Sequence, residues 1–334
     1  MGCIYFFYYP YFSKMNAERP AKTAIFEIQS YLGELEKDYS LYKEKNFDKR
    51  MEAIDFIGFP ILDRLGELLQ TTTQPEQLIS LKDRAENLKS QLEEIDRRLF
   101  QSLQVIIRTE RCRGKEFKDL LKKYVDLDVA YTQHQEEIGY DNLDIFINGL
   151  SLLQTMPEQT KDLEPEMVCY QKTPARIVFE LVGRSHFTKE DVFFDLGSGL
   201  GQIAILVNLL AGVTTKGIEF EPAFCDYARD CAAALNLSNV TFLNVDARKA
   251  DYSEGTIFFM FTPFRGEILQ EVLENLRKES LRRKIKIIAY GPCTAAIALQ
   301  SWLDLTTPLD FTTPLNLTTP EDTGIYKLGF FSSF

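Results

Sequence analysis

The stretch Asp191-Val-Phe-Phe-Asp195-Leu-Gly197-Ser198-Gly199-Leu200-Gly201-Gln202 holds residue types that can bind a small charged molecule. A β-type run ends in an acid, a glycine-rich turn follows, and Ile203 to Ala211 continues as an apolar helical run closed by Gly212. That is a strand, a tight loop and a helix. Gly197, Gly199 and Gly201 let the backbone approach a ligand closely, and free N–H groups at the helix start favour a negative group there. A dinucleotide site of the G-x-G-x-x-G kind would put glycine at position 202, where this chain has Gln202. An acid two residues before the first glycine would repel a pyrophosphate and suits an amino group.

Two more acids fall where further strands should end: Glu219 in Gly217-Ile218-Glu219-Phe220-Glu221 and Asp246 in Asn244-Val245-Asp246-Ala247. Open α/β sheets bind ligands outside the carboxyl ends of their strands. There Asp195 would accept from an ammonium, Glu219 from both hydroxyls of a ribose, and Asp246 from an adenine amino group, with the base against Phe220 and Ala247. S-adenosylmethionine presents all of these groups with a sulfonium and a carboxylate. A fourth strand ends in Phe259-Met260-Phe261-Thr262-Pro263-Phe264. Methyl transfer is an in-line displacement that needs a lone pair held about 3–3.5 Å from the methyl carbon. Aromatic walls desolvate the nucleophile and attract a sulfonium through their π faces. Phe261, Thr262 and Phe264, with Tyr170 and Tyr290, are the candidates to line the acceptor side. For Phe261 core packing competes on equal terms with that role, and for Phe264 it is the stronger reading. No general base stands out, which suits an amine that arrives deprotonated and not an alcohol.

These residues need elements to hold them. From Met167 onward strand-type and helix-type runs alternate, which implies a mainly parallel sheet. A helix is expected from Pro174 to Val182 before the first strand, then strands at Val213–Phe220, Val240–Val245, Thr256–Phe261 and Lys284–Tyr290. Helices are expected over Pro222–Leu237 and Ile268–Leu276, and Gly324 to Phe331 reads as a last, antiparallel strand. The segment from Ala21 to about Thr160 is helical in pattern. Thr73-Gln74-Pro75-Glu76 has the form of a capping box, and Leu78, Leu81, Ala85, Leu88, Leu92, Ile95 and Leu99 form a heptad seam behind it. The seam is expected to pack within the chain's own bundle, with self-association through it as the alternative. The expected domains are a disordered tail over 1–20, a helical bundle over 21–165 and a catalytic domain over 166–334. The repeat Leu305-Thr-Thr-Pro308, Phe311-Thr-Thr-Pro314, Leu317-Thr-Thr-Pro320 excludes a central strand and reads as an edge or loop element.

Composition narrows the partners. With 38 Lys and Arg against 49 Asp and Glu, the net charge of −11 argues against a large nucleic-acid footprint. Acids between Val125 and Glu166 make a negative surface that reads first as a solvated linker face and second as one able to attract a basic peptide. The aromatic start, Ile4 to Phe12, is too short to span a bilayer. Six cysteines without a C-x-x-C pair read as thiols in a reducing, cytoplasmic setting, and with only His134 and His186 no metal site is expected.

The region after Met167 resembles the class I S-adenosylmethionine-dependent methyltransferases. Within them it is most similar to the non-SET histone-lysine methyltransferases of the disruptor-of-telomeric-silencing type. Their glycine motif D-L-G-S-G-x-G-Q is Asp195 to Gln202 here without change. Their upstream Y-G-E-T is met by Tyr170-Gln171-Lys172-Thr173 at the same distance from the motif acid. The resemblance implies a Rossmann-like seven-stranded α/β sheet, mostly parallel with an antiparallel last strand, preceded by an all-α domain. It adds Thr173, Ser198 and Gln202 to Asp195, Gly197, Gly199, Gly201, Glu219, Phe220, Asp246 and Ala247 as cofactor contacts. It further implies a protein or peptide substrate methylated on a lysine-type amine. Lys172 replaces the family's glutamate, and the family's N-N-F motif falls on Met260-Phe261-Thr262, so the asparagines that shape its lysine channel are missing. A small-molecule methyltransferase with the helical half as a lid, and a non-catalytic cofactor-binding module, are the rival readings.

Overall fold

The computed structural model describes residues 20–73, 75–109, 112–127, 139–151, 155–306 and 328–334. The aromatic start and most of the Thr-Thr-Pro repeat lie outside them. The chain divides into two compact units: one within 1–105, 119–129 and 140–150, the other within 106–118, 130–139 and 151–334.

The first unit is helical. Its helices are α1 (Ala21–Lys37), α2 (Phe47–Phe56), α3 (Leu62–Thr71), most of α4 (Glu76–Ile107), the end of α5 (Lys115–Leu121) and α6 (Asn142–Gly149). A π turn at Ile57–Ile61 carries Pro60 between α2 and α3. Asp141 and Asp144 close a reciprocal capping box at the start of α6. The heptad residues Leu78, Leu81, Ala85, Leu88, Leu92 and Leu99 are buried within the single chain. The seam departs from expectation at one point, where Ile95 is only half-buried and Asp96 is the residue turned inward. The reason is Arg50, a fully buried cation on α2 that donates through Nε to Asp96 Oδ1 at 2.8 Å. Its Nη1 donates to the carbonyls of Leu41 and Lys43 at 3.0 and 2.9 Å. A buried guanidinium is tolerated only with its donors met and its charge paired.

The second unit is built on a seven-stranded sheet of order β3-β2-β1-β4-β5-β7-β6. Its strands are β1 (Val192–Leu196), β2 (Thr214–Glu219), β3 (Val240–Asn244), β4 (Ile257–Phe261), β5 (Lys286–Tyr290), β6 (Leu303–Leu305) and β7 (Gly329–Ser333). The first five are parallel, and β7 runs antiparallel to both β5 and β6. The crossovers are α8 (Gln202–Ala211), α9 (Pro222–Ala234) and α10 (Gly266–Ser280), with α7 (Ala175–Ser185) before β1. The short α11 (Cys293–Ala298) and the three-residue β6 were not expected. β6 is an edge strand that ends three residues before Pro308, as the repeat's prolines require.

The central strands read as near-continuous apolar runs because helices cover both faces of a parallel sheet. Phe193, Phe194 and Leu196 of β1 and Ile257 to Met260 of β4 are all buried. The registers Asp195↔Gly217, Glu219↔Asn244 and Phe261↔Tyr290 bring the strand ends to one edge. β1 therefore divides the edge into a β2–β3 side and a β4–β5 side.

Candidate active site

A cavity of about 450 Å³ opens over that edge, within the range of small-molecule sites. Asp195, Gly197, Ser198, Gly199 and Gln202 line it from the β1 exit. Glu219 and Phe220 line it from β2, Asp246 and Ala247 from β3, and Phe261, Thr262 and Phe264 from β4. Tyr170 and Thr173 contribute from the segment before α7.

Two candidates stand elsewhere. Gly201 is absent from the lining and caps α8 with φ +78°, where a Cβ would meet the Phe242 ring at 2.5 Å and Ala228 at 2.6 Å. It is glycine for helix–sheet packing. Tyr290 stands behind the lining, fully buried against Phe261 with ring centroids 4.9 Å apart.

The loop's N–H groups are not free. Gly197 and Ser198 donate to Ile218 O at 2.9 and 3.0 Å, and Gly201 donates to Ser198 O at 2.8 Å. Gly199 donates to Glu219 Oε2 at 2.6 Å. At the helix start Ala204 N–H donates to Asp195, so the α8 terminus is met by the protein's own carboxyl group. The other two glycines line the cavity and also make room for protein side chains. A Cβ on Gly197 would lie 2.3 Å from Pro263 Cβ, and one on Gly199 2.4 Å from the Tyr170 ring. Gly199→Ala, at φ +51°, should therefore cost about 1–3 kcal/mol and lower the melting temperature. If thermal denaturation finds no change, Tyr170 is not a fixed wall of the cavity.

Three polar atoms on the lining, Asp195 Oδ2, Ser198 Oγ and Gln202 Nε2, are buried without a partner. Orphaned groups of this kind mark a place where a ligand completes the hydrogen bonding. Asp195 is 1% exposed, and burial, followed by the neighbouring negative charge of Glu219, pushes its pKa up to about 8. Glu219 is likewise raised by burial, against the pull of N–H donors from Glu221, Gly199 and Phe220. Its Oε1 accepts from Glu221 N at 2.8 Å. Asp246 behaves oppositely. Arg248 grips both its oxygens, with Nε to Oδ1 at 3.0 Å and Nη2 to Oδ2 at 2.6 Å, and holds its carboxyl below the usual range.

Sequence reasoning missed the strap of residues that closes one side of the cavity. Glu221 accepts from the Thr160 hydroxyl at 2.5 Å and from Lys161 N at 2.8 Å. The Lys161 ammonium lies 4.2 Å over the Phe220 ring. Arg248 reaches Glu164 at 2.6 Å, and Val168 N–H donates to Pro263 O at 3.0 Å. Glu221 was findable, since it precedes Pro222 as the N-cap of α9. Arg248 was not, because Glu164, the partner that ties it to the strap, lies 84 positions away. On the acceptor side, Phe264 is 5% exposed and bridges Met167, so it belongs to the core as much as to the cavity. Thr262 holds a left-handed φ of +40°, its hydroxyl donating to Tyr290 O at 3.2 Å and accepting from Cys293 N at 3.1 Å. Such strain in a β-branched residue persists only where its surroundings over-determine it.

Residues 165–272 match the model of the family described as "Histone methylation protein DOT1". No curated protein matches the chain. Among solved structures, an RNA methyltransferase from Salinibacter ruber, in complex with S-adenosyl-L-homocysteine, is 20% identical over 49% of this chain and 92% of its own, with a TM-score of 0.34. A precorrin-6y C5,15-methyltransferase from Geobacter metallireducens GS-15 is 14% identical over 50% and 93%, with a TM-score of 0.35. The ribosomal protein L11 methylase of Lactobacillus delbrueckii subsp. bulgaricus is 13% identical over 48% and 77%, with a TM-score of 0.34.

Proposed function

We propose that this chain, whose second unit carries an S-adenosylmethionine-dependent methyltransferase domain, moves the methyl group onto a lysine-type amine of a protein. The observation that carries the reading is the family match over residues 165–272, which takes in the glycine loop and the exits of β1 to β4. A histone is the acceptor its description suggests.

The bound cofactor supplies an electrophilic methyl on a sulfonium. Asp195 would accept from its ammonium and Glu219 from its ribose hydroxyls, and Asp246, whose Oδ1 is taken by Arg248 N and Nε, would turn the remaining lone pair of Oδ2 to the adenine amino group. Ser198 Oγ and Gln202 Nε2, which lack partners, would complete the polar contacts, and Phe220 and Ala247 would flank the base. Phe261 and Thr262 form the acceptor wall and keep water from the nucleophile.

The acids lining the cavity are Asp195, Glu219, Glu221 and Asp246, all on its β1–β3 side. Among the described residues no carboxylate or imidazole lines it from β4 or β5. An amine must then enter neutral, so the rate should climb with pH toward the amine's own pKa. The cysteines of the described residues are all free, which suits a reducing compartment.

The test is transfer of labelled methyl from S-adenosylmethionine into a native cell extract, followed by protease or nuclease. Label released by protease and stable to base supports protein N-methylation. Label confined to nucleic acid or small molecules overturns the acceptor while leaving the cofactor.

A further inference from the structure

The arginines of the described residues are engaged by carboxylates, carbonyls or other protein groups, with one exception: Arg265. Among the described residues it is the single cation on the cavity lining. Its backbone is pinned at both ends, with N–H donating to Glu166 O at 2.9 Å and the carbonyl accepting from Leu269 N at 3.1 Å. The side chain is exposed, four residues beyond the end of β4. The nearby acid Glu166 does not pair with it, because its Oε2 accepts from Ile268 N–H at 2.9 Å.

The lining is thus polarised. Its acids serve the loop, the strap or the cofactor on one side of β1, and the other side is apolar and aromatic with one guanidinium held at a fixed root. A guanidinium so placed accepts a carboxylate in a two-point grip and repels a second cation. We infer that Arg265 selects the acceptor by its neighbours: the methylated lysine is one flanked by an acidic side chain, and lysine- and arginine-rich segments are disfavoured. This rests on the protein-amine reading and deepens it. It also gives the lone cation a second effect, since a positive charge beside the entering amine disfavours its protonated form.

The experiment uses the full chain, labelled S-adenosylmethionine and peptides with a single lysine flanked by Glu, by Gln or by Arg. Wild type should show kcat/KM about tenfold higher for Glu than for Gln flanks, the worth of one partly screened ion pair with good geometry. Arg flanks should be poorer still. Arg265→Gln should bring the Glu-to-Gln ratio close to one, and Arg265→Glu should invert it toward Arg flanks, with melting temperatures unchanged because the side chain is exposed. Raising salt should erode the wild-type preference and leave that of Arg265→Gln flat. Methylation without a flank preference, or a preference that survives Arg265→Gln, overturns the inference alone. If no peptide is labelled although the protein binds S-adenosylhomocysteine, the protein-amine reading falls and this inference with it.

Discussion

Asp195→Asn should weaken binding of S-adenosylmethionine and S-adenosylhomocysteine by about 100-fold or more, while making the ligand-free protein more stable at neutral pH. The loss follows from removing a buried, charge-assisted contact and turning an amide N–H₂ toward a cation. The gain follows from the raised pKa of about 8, against about 3.9 in an unfolded chain. A group whose folded pKa lies above its unfolded value gives its full stability below the unfolded pKa and loses it as pH rises through the folded one. Between pH 4 and pH 8 the wild type therefore loses about 1.4 kcal/mol per pH unit from this residue, and the Asn variant does not. The gap in melting temperature between variant and wild type should widen from pH 5.5 to 8 and then level off.

The same residue links cofactor binding to pH. An ammonium placed on Asp195 draws off its proton, so wild-type affinity should tighten toward pH 8 by up to about tenfold per unit. It should turn over where the ligand's own α-amino group, near pKa 8, begins to lose its charge. Isothermal titration in buffers of different ionisation enthalpy measures the released proton directly. An Asn variant that binds within threefold of wild type, or a wild-type affinity flat from pH 6 to 8, would show that Asp195 does not face the ammonium.

What was legible in the chain was local. The strand, glycine loop and helix around Asp195 are contiguous, and the apolar runs of β2 to β5 are long enough to carry a period. β6 has three residues and α11 six, too few for any pattern to stand out. The heptad reading failed at Ile95 because residues three and four beyond Leu92 both fall on the inner face. Which one turns in was decided by Arg50, a partner 46 positions away. The glycine loop departs from its reading for the same reason, since its N–H groups are spent on Ile218, Ser198 and Glu219. Spacing shows that Gly201 needs a special backbone, but only the packed sheet reveals that Phe242, and not a ligand, occupies the space. The tie between Arg248 and the strap is invisible in sequence because its ion pair spans 84 positions, from Glu164 to Arg248.

Glu219→Ala should cost at least as much cofactor affinity as the loss at Asp195, because this carboxylate does two jobs. It accepts from the N–H groups of Gly199 and Glu221, and on the proposed reading it is the acid offered to the ribose. Removing it leaves two N–H groups without their partner, each at about 1–3 kcal/mol, so the loop itself should loosen. To separate the two jobs, Glu219→Gln retains a carbonyl oxygen for one N–H donor while giving up the second acceptor. Wild type and Glu219→Gln should then be compared on S-adenosylhomocysteine and on its 2′,3′-dideoxy analogue. If the ribose contact is real, the substitution weakens binding of the hydroxylated ligand by tenfold or more and barely affects the analogue. Equal losses on both ligands would assign Glu219 to loop architecture alone. A further shift should accompany the Ala variant. The negative charge of Glu219 helps hold the Asp195 pKa up, so its removal should move the pH at which cofactor affinity is half-developed downward. A midpoint that stays in place would mean the two carboxylates titrate independently, and burial alone sets the state of Asp195.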